Sequence, residues 1–510
     1  MKHSPDQLST QVAIVGAGPT GLSLAAQLLR FGIDFVLLDK KDGPTPLSKA
    51  LVVQARSLEI FEELGLAAKA IGEGRTTMGL NMYARGSKRA FLDLNGLGKG
   101  KTPFPFVLSL EQSQTEQLLA DYLQEQGKSI RWNAELLQMN PEESGVTLRY
   151  RDGHGQEHRL TAAYLVACDG AGSPVRHQLG LPFSGSTEPK LFYVADVRMS
   201  SPVICRDELY LYLVRKGFVL FFPMEGAGHY RIVGVLPEAG EEQWTFEQLD
   251  QQLKKDIVSP VQFEELRWFS TYKVHSRMAG AFQQGRCFLA GDAAHIHTPA
   301  GGQGMNTGIQ DAYNLAWKLA FVLRGTVNED VLATYGTERS QNARRLLRST
   351  DRMFDIMAGS NRLWDFLRLR FFPLLFRWVT GQAFFRRRIF PFLSQTGIAY
   401  PDSGLTLKSS IGTVKAGDRM PFFVFSDGTS VFSYLAQPAF KLLFFGPPEN
   451  DAFTTPGKIE PERYRFQEIP KGLFGDAQNF YVLLRPDNHI SYIGPDPEQV
   501  RGFFRKIAPG

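Results

Sequence analysis

One loop constrains this chain more than any other feature. Residues 11–15 (QVAIV) read as a buried strand, Gly16-x-Gly18-x-x-Gly21 follows at once, and LSLAAQLLRFG continues as an apolar helix. The next strand-like run, FVLLD at 35–39, ends on Asp39, 18 residues beyond Gly21. Glycines let the backbone turn tightly and approach a pyrophosphate, which the free N–H groups of the helix N-terminus attract. Asp39 is placed to accept hydrogen bonds from the ribose hydroxyls of an adenosine. A strand, loop, helix and acid in this order predict an α/β fold built on a Rossmann-like dinucleotide-binding unit. FAD and NAD satisfy this motif equally.

Two later segments repeat the pattern of a strand ending in glycine and aspartate. LVACDGAGSPVRHQLG carries Asp169, Ser173 and Arg176, and GRCFLAGDAAHIHTPAGGQGMNTGIQDAYNLAWKLA carries Asp292 and a glycine-rich turn into a long helix. That helix holds Ile309, Ala312, Tyr313, Ala316, Leu319, Ala320 and Leu323 on one face, which predicts an amphipathic element. Between the two segments ELYLYLV, FVLFFPM and HYRIVGVLP alternate with Gly-rich turns, and RWFSTYKV at 267–274 reads as a further strand. Short spacing implies an antiparallel sheet inserted into the nucleotide domain. The domain reading is residues 1–180 and 275–400 for the nucleotide unit, with residues near 75–110 reaching the middle sheet. Residues 181–274 form that sheet domain, and 401–510 a small α/β domain.

A chain of 510 residues exceeds one core, and 43% hydrophobic with 21% charged residues is the balance of a soluble globular protein. The net charge of +5, with no compact basic run in the first 350 residues, argues against nucleic acid. No signal-like segment or apolar run of membrane-spanning length is seen, so a cytoplasmic location is expected. Cys168, Cys205 and Cys287 form no CxxC pair, and neither a disulfide framework nor a metal site is expected. Residues 351–394 depart from this picture. They are rich in Phe, Leu and Arg, and read either as helices burying aromatics against the body or as a basic membrane-surface element. Pro373, Gly381 and Pro391 interrupt a continuous amphipathic face, which favours burial.

Taken in order, the three motifs resemble the aromatic-hydroxylase family of flavoprotein monooxygenases, whose archetype is p-hydroxybenzoate hydroxylase, over residues 10–330. The resemblance implies FAD as cofactor, with NADPH or NADH as a transient electron donor. It implies cofactor contacts from Gly16, Gly18, Gly21, Asp39, Lys40, Lys49, Arg56, Gln112, Leu136, Asp169 and Asp292, and from Gly302, Gly304, Met305 and Asn306 at the flavin's pyrimidine edge. Lys49 stands where relatives carry arginine, so a bidentate contact is lost there. Pro299, Ala300 and Gly301 would border the face of the ring that meets O2. The implied reaction is hydroxylation of an aromatic or phenolic, even polycyclic, small molecule through a flavin hydroperoxide. It needs a dry pocket and no catalytic triad. Residues 401–510 resemble the thioredoxin-like domain of the phenol-hydroxylase branch, on AGDRMP and LRPDNHISYIG. They hold no cysteine, so a structural or dimer-forming role is implied.

For the substrate, the sheet offers Tyr210 and Tyr212 on one face, with Leu209, Leu211 and Leu213 on the other. Phe222, Met224, Trp268 and Tyr272 are further candidate walls, and His297 a candidate polar contact. His295 reads as a structural hydrogen-bonder. Two other readings use the same scaffold: a membrane-associated, FAD-dependent reductase of a prenyl lipid, and a catalytically silent FAD-binding protein.

Overall fold

A computed structural model describes residues 7–46, 50–215, 217–236, 244–257, 259–298, 302–358, 366–367, 369–447, 455–456 and 458–509. Lys49, Pro299, Ala300 and Gly301 therefore lie outside the described residues.

Strands Phe35–Leu38, Gln7–Val15, Glu157–Ala167 and Cys287–Leu289 lie side by side, all parallel. Gln283–Gln284, Val146–Arg151 and Glu135–Pro141 extend this into a seven-stranded sheet through antiparallel pairings. The central strands are continuous apolar runs because both faces are covered, and Val12, Ala13 and Ile14 are fully buried. Helix Pro19–Arg30 packs between Gln112–Glu125 and the long helix Gly304–Leu323. The long helix is buried from Asn306 to Phe321 on every side, a correction to the single apolar face read from its periodicity. It threads the interior, so its polar residues are matched inside the protein.

The second sheet has eight strands, in the order His295–Ile296, Gln262–Ala279, Phe183–Ser200, His229–Val235, Gly217–Pro223, Glu208–Val214, Gly79–Ala84 and Ser87–Asp93. Every neighbour pair is antiparallel except Glu208–Val214 with Gly79–Ala84. Its outer face lies under helix Phe246–Asp256, through Leu249 and Leu253. Strand Gln262–Ala279 carries the sheet past residue 274 and delivers the chain to the third motif.

The C-terminal unit pairs Glu462–Phe466, Lys441–Phe445, Phe480–Leu484 and Ile490–Gly494 in that spatial order, the first pair parallel and the others antiparallel. In sequence terms this is 2-1-3-4, the thioredoxin-like arrangement. A buried charge network fastens it to the rest. Arg485 and Lys318 both donate to Glu338, Arg485 also pairs with Asp487, and Asn314 donates to Glu338. Burial alone would raise the Glu338 carboxyl, but Arg485 and Lys318 hold it well below the usual carboxylate range. Burial brings the Lys318 ammonium down to about 8.

Helices Phe372–Gly381 and Ala383–Leu393 occupy the Phe/Arg-rich passage. Phe372 and Phe376 pack on the second sheet, and Phe390 is buried. Burial is one-sided, because Phe371, Leu374, Leu375 and Trp378 remain exposed.

Removing one member of a buried charge pair leaves its partner uncompensated, at about 3–5 kcal/mol. Arg485→Met is therefore expected to lower the urea midpoint of unfolding strongly. An exposed-pair control, Arg505→Met, is expected to leave it within experimental error.

Candidate cofactor and substrate site

The three motifs meet where the parallel strands end, the place at which an open α/β sheet offers a crevice. Gly16 has φ of +103°, and a Cβ there would fall 2.3 Å from the Cys168 carbonyl oxygen. A Cβ on Gly21 would fall 1.8 Å from the Gly16 carbonyl oxygen. Both glycines are thus demanded by the fold itself. Gly18 differs, since its Cβ would meet nothing within 4 Å. The open space at Gly18 is what a pyrophosphate lying against the loop requires.

Asp39 is buried, and its two carboxylate oxygens accept the N–H groups of Ala17 (2.6 Å) and Lys41 (2.8 Å). It fixes the loop and keeps lone pairs for a ribose. Lys40 is exposed and lines a shallow groove of 270 Å³ with Asn133, Glu135 and Arg151. Leu136 is buried on the neighbouring strand. Asp169 abuts Gly16, accepts the Val175 N–H through Oδ2, and leaves Oδ1 buried without a partner among the described residues. Burial raises its pKa. Arg176 ties this motif to the third by donating to the carbonyls of Ala171 and Ala293.

In the third motif Asp292 lies in the short helix Gly291–Ala293 that follows strand Cys287–Leu289. Its side chain is exposed, yet the protein crowded around it displaces enough water to raise its pKa. The turn before it is held by Asp311, which accepts the Gly291 N–H (2.9 Å), the His295 Nε2–H (2.8 Å) and the Arg339 Nε–H (2.6 Å). Against the cost of burial, Arg339 and His295 keep Asp311 below its ordinary pKa. Farther along, Gly302 sits in the left-handed region (φ +62°) against Val52. The first intrahelical bond of the long helix, Thr307 N–H to the Gln303 carbonyl, leaves the N–H groups of Gly304, Met305 and Asn306 ahead of it. These form an anion-seeking end.

Several side chains that the resemblance assigns to FAD have partners within the protein. Arg56 turns into the interior, donating to Glu59 and the Asp487 carbonyl and lying over the Tyr313 ring. The C-terminal domain supplies a closer acceptor for it than the crevice. Gln112 donates its side-chain amide to Glu116. Asn306 spends its side chain on the 52–57 segment and the turn: its amide donates to the carbonyls of Val52 and Gly302, and its oxygen accepts from Gln54 N–H and Ser57 Oγ. The Asn306 side chain therefore positions the backbone, and what Asn306 can offer a ligand is its main-chain N–H.

The largest correction concerns the sheet. Tyr210 and Tyr212 lie on its outer face, stacked on Tyr83 and packed with Leu249 and Leu253. Their hydroxyls are spent on the Cys205 N–H and on Ser259, and burial pushes the Tyr212 hydroxyl up to about 12. The opposite, inner face looks toward the nucleotide domain. Cross-strand register places Phe222, Arg231, Asp196 and Trp268 in one row, Leu211, Leu220, Val233, Val194 and Ser270 in the next, and Phe192 beside Tyr272 in a third. Arg231 grips Asp196 with two 2.6 Å bonds and reaches the Ala50 carbonyl and Glu111. Met224 shares the alternation of Phe222 and is buried just past the strand end. Leu220, Phe222, Val233, Trp268, Ser270 and Tyr272 are only half buried although they face the protein. Together they leave partly accessible apolar surface on this face.

His297 borders the long helix, where a Cβ on Gly304 would lie 3.7 Å from its Nε2. Nδ1–H donates to the Thr298 carbonyl (2.7 Å), and Nε2 is buried without a partner among the described residues. Burial brings its pKa from 6.5 down to about 4, so the imidazole is neutral with a bare acceptor.

Thr20, Asp311, Arg339 and the Arg231–Asp196 pair escaped the sequence reading. Asp311 alone left a signal, an acid in the middle of an apolar helix. Thr20 is visible only in three dimensions, because the missing side chains of Gly291 and Gly308 make room for its hydroxyl.

A family model described as an FAD binding domain matches residues 9–350. The chain belongs to the FAD-dependent aromatic hydroxylases. Within these flavoprotein monooxygenases it is 39% identical to 6-methylpretetramide 4-monooxygenase of Streptomyces rimosus over 70% of this chain and 64% of that one, so it spans under two thirds of that relative. It is 31% identical to a flavin-dependent monooxygenase of Mycobacteroides abscessus over 97% of this chain and 99% of that one. Its fold matches aklavinone-11 hydroxylase, solved with FAD and aklavinone, with a TM-score of 0.82 over the whole of both chains at 21% identity. The residues present fit FAD, the cofactor of this family. Space opens at Gly18, Asp169 Oδ1 has no partner among the described residues, Asp292 is exposed, and the long helix begins with N–H groups that precede its first intrahelical bond. Among the described residues no group of three His, Cys, Asp or Glu could hold a metal.

Gly18→Ala is expected to keep the thermal midpoint of the apoprotein while weakening FAD binding, read by flavin fluorescence. Gly21→Ala should fail to fold, and undiminished FAD binding by Gly18→Ala would remove Gly18's role. His297 titrates near 6.5 when unfolded and near 4 when folded, so its contribution to stability is present above 6.5 and lost as pH falls toward 4. His297→Gln should shrink the drop in thermal midpoint between pH 7.5 and pH 5, and an unchanged drop would refute the neutral, buried imidazole.

Proposed function

We propose that this chain hydroxylates a flat, apolar aromatic or phenolic small molecule, polycyclic ones included, using O2 and either NADPH or NADH. The observation that carries the reading is the half-buried inner wall of Leu220, Phe222, Val233, Trp268, Ser270 and Tyr272. Neighbouring strands lie about 4.8 Å apart, so the three strands contributing these residues, with Phe183–Ser200 lying between two of them, present a broad, nearly flat surface suited to fused rings. FAD, once reduced by the nicotinamide donor, supplies the oxygen chemistry.

This chain's residues position and exclude. Asp39 and Asp169 hold the nucleotide loop, and Asp292 offers its carboxylate to the cofactor's polar chain. The N-terminus of the long helix favours negative charge at the flavin edge. The Arg231–Asp196 pair neutralises itself within the wall, so the surface stays effectively apolar while Arg231 braces the sheet against Ala50. Nε2 of His297 is suited to accept a hydrogen bond from a substrate hydroxyl. The likeness to relatives named for tetracyclic and chlorinated phenolic compounds supports a ring-shaped substrate.

A panel of substituted phenols and fused-ring phenols is the test, read as stimulated NADPH or NADH oxidation with products gaining one oxygen by mass. With the best ligand, Trp268→Ala should raise KM about tenfold or more, whereas Tyr212→Phe should leave it unchanged. A flavin-loaded protein that no aromatic compound stimulates would sink the proposal.

A further inference from the structure

Helix Phe372–Gly381 is apolar on two opposite sides. Phe372 and Phe376 pack on the second sheet, where the helix meets strand Ser87–Asp93, within a cluster that also contains Leu211, Leu213, Phe218 and Tyr272. The other side presents Phe371, Leu374, Leu375 and Trp378, spaced i, i+3, i+4 and i+7, each between 50% and 65% exposed. Phe366 meets Phe371 edge-on and extends this surface. A helix that is apolar all round normally has both sides covered, and a contiguous exposed apolar patch marks an interaction surface.

Charge selects what covers it. Residues 366–401 contain Arg368, Arg370, Arg377, Arg386, Arg387 and Arg388, and no Asp or Glu. Arg370 and Arg388 are exposed. A second copy meeting this patch across a two-fold axis would bring the same arginines toward each other, which disfavours self-association. An anionic bilayer complements both features. Leucine and tryptophan enter the boundary between headgroups and acyl chains, and arginine binds lipid phosphate. Among the described residues no helix is long and apolar enough to cross a membrane, so the element would lie on the surface.

We propose that helix Phe372–Gly381 docks this chain on an anionic lipid surface through Leu374, Leu375 and Trp378, with the positive charge of this arginine-rich, acid-free segment, Arg370 and Arg388 included, drawn to lipid phosphates. Because its other side packs into the cluster that also holds Leu220 and Tyr272, docking sets the apolar wall near the phase in which an apolar aromatic compound concentrates. That last consequence alone rests on the proposed function.

Cosedimentation of the FAD-loaded full chain tests the proposal, using vesicles of equal parts phosphatidylglycerol and phosphatidylcholine against phosphatidylcholine alone. Binding is expected to the anionic vesicles only and to weaken at high salt. Leu374→Glu with Leu375→Glu should weaken it about tenfold or more, as should a triple Gln substitution at Arg386, Arg387 and Arg388. Three results would overturn it: no binding to anionic vesicles, equal binding by the Leu→Glu variant, or a light-scattering dimer that this variant abolishes. Bound-flavin absorbance and aromatic-stimulated NAD(P)H oxidation, measured without vesicles, are expected to match between wild type and variant. Those readouts judge the proposed function separately.

Discussion

The buried carboxylate of Asp311 is the interaction on which the site depends. It accepts hydrogen bonds from the turn at Gly291, from His295 and from Arg339. Arg339 in turn donates to the Tyr400 hydroxyl and the Thr307 carbonyl. One charge therefore joins the Asp292 turn, the long helix, the helix Ala333–Ala358 and the start of the C-terminal region. Such a carboxylate is tolerable in the interior because its bonds leave neither partner charge unmatched. Loss of Asp311 would strand a buried guanidinium and release the turn that presents Asp292.

A second buried network works by the same rule at longer range. Glu338 collects Arg485, Lys318 and Asn314, and Arg485 collects Asp487. Through Arg485 and Asp487 the C-terminal domain acts on the long helix by direct contact. It supplies the charge that lets the long helix remain buried on every side, and it draws Arg56 away from the crevice. The cofactor end of that helix is thereby fixed from behind, with its first N–H groups preceding the first intrahelical bond.

Much of the nucleotide site was legible because it is local. A strand, a Gly16–Gly18–Gly21 loop and Asp39 lie within one short stretch, and the chemistry of each follows from backbone geometry at its own position. The same holds for the strand ends at Asp169 and Asp292. What was illegible depended on residues distant in sequence. Thr20 needs the absent side chains of Gly291 and Gly308, the Arg231–Asp196 pair needs strand register, and the amide of Asn306 is claimed by residues about 250 positions away.

The loop at Gly16, Gly18 and Gly21 and the three strand-end motifs belong to the sequence alone, since steric permission and free helix N–H groups are properties of short segments. Which side of the inserted sheet faces the crevice belonged to the tertiary structure. Strand periodicity divides Tyr210 and Tyr212 from Leu209, Leu211 and Leu213, but it does not say which set points inward. Helix Phe246–Asp256 covers the tyrosine side and Arg231 anchors the other to Ala50. Packing between elements far apart in the chain chose the face, so the wall is built from Phe222, Trp268 and Tyr272 and the two tyrosines became core.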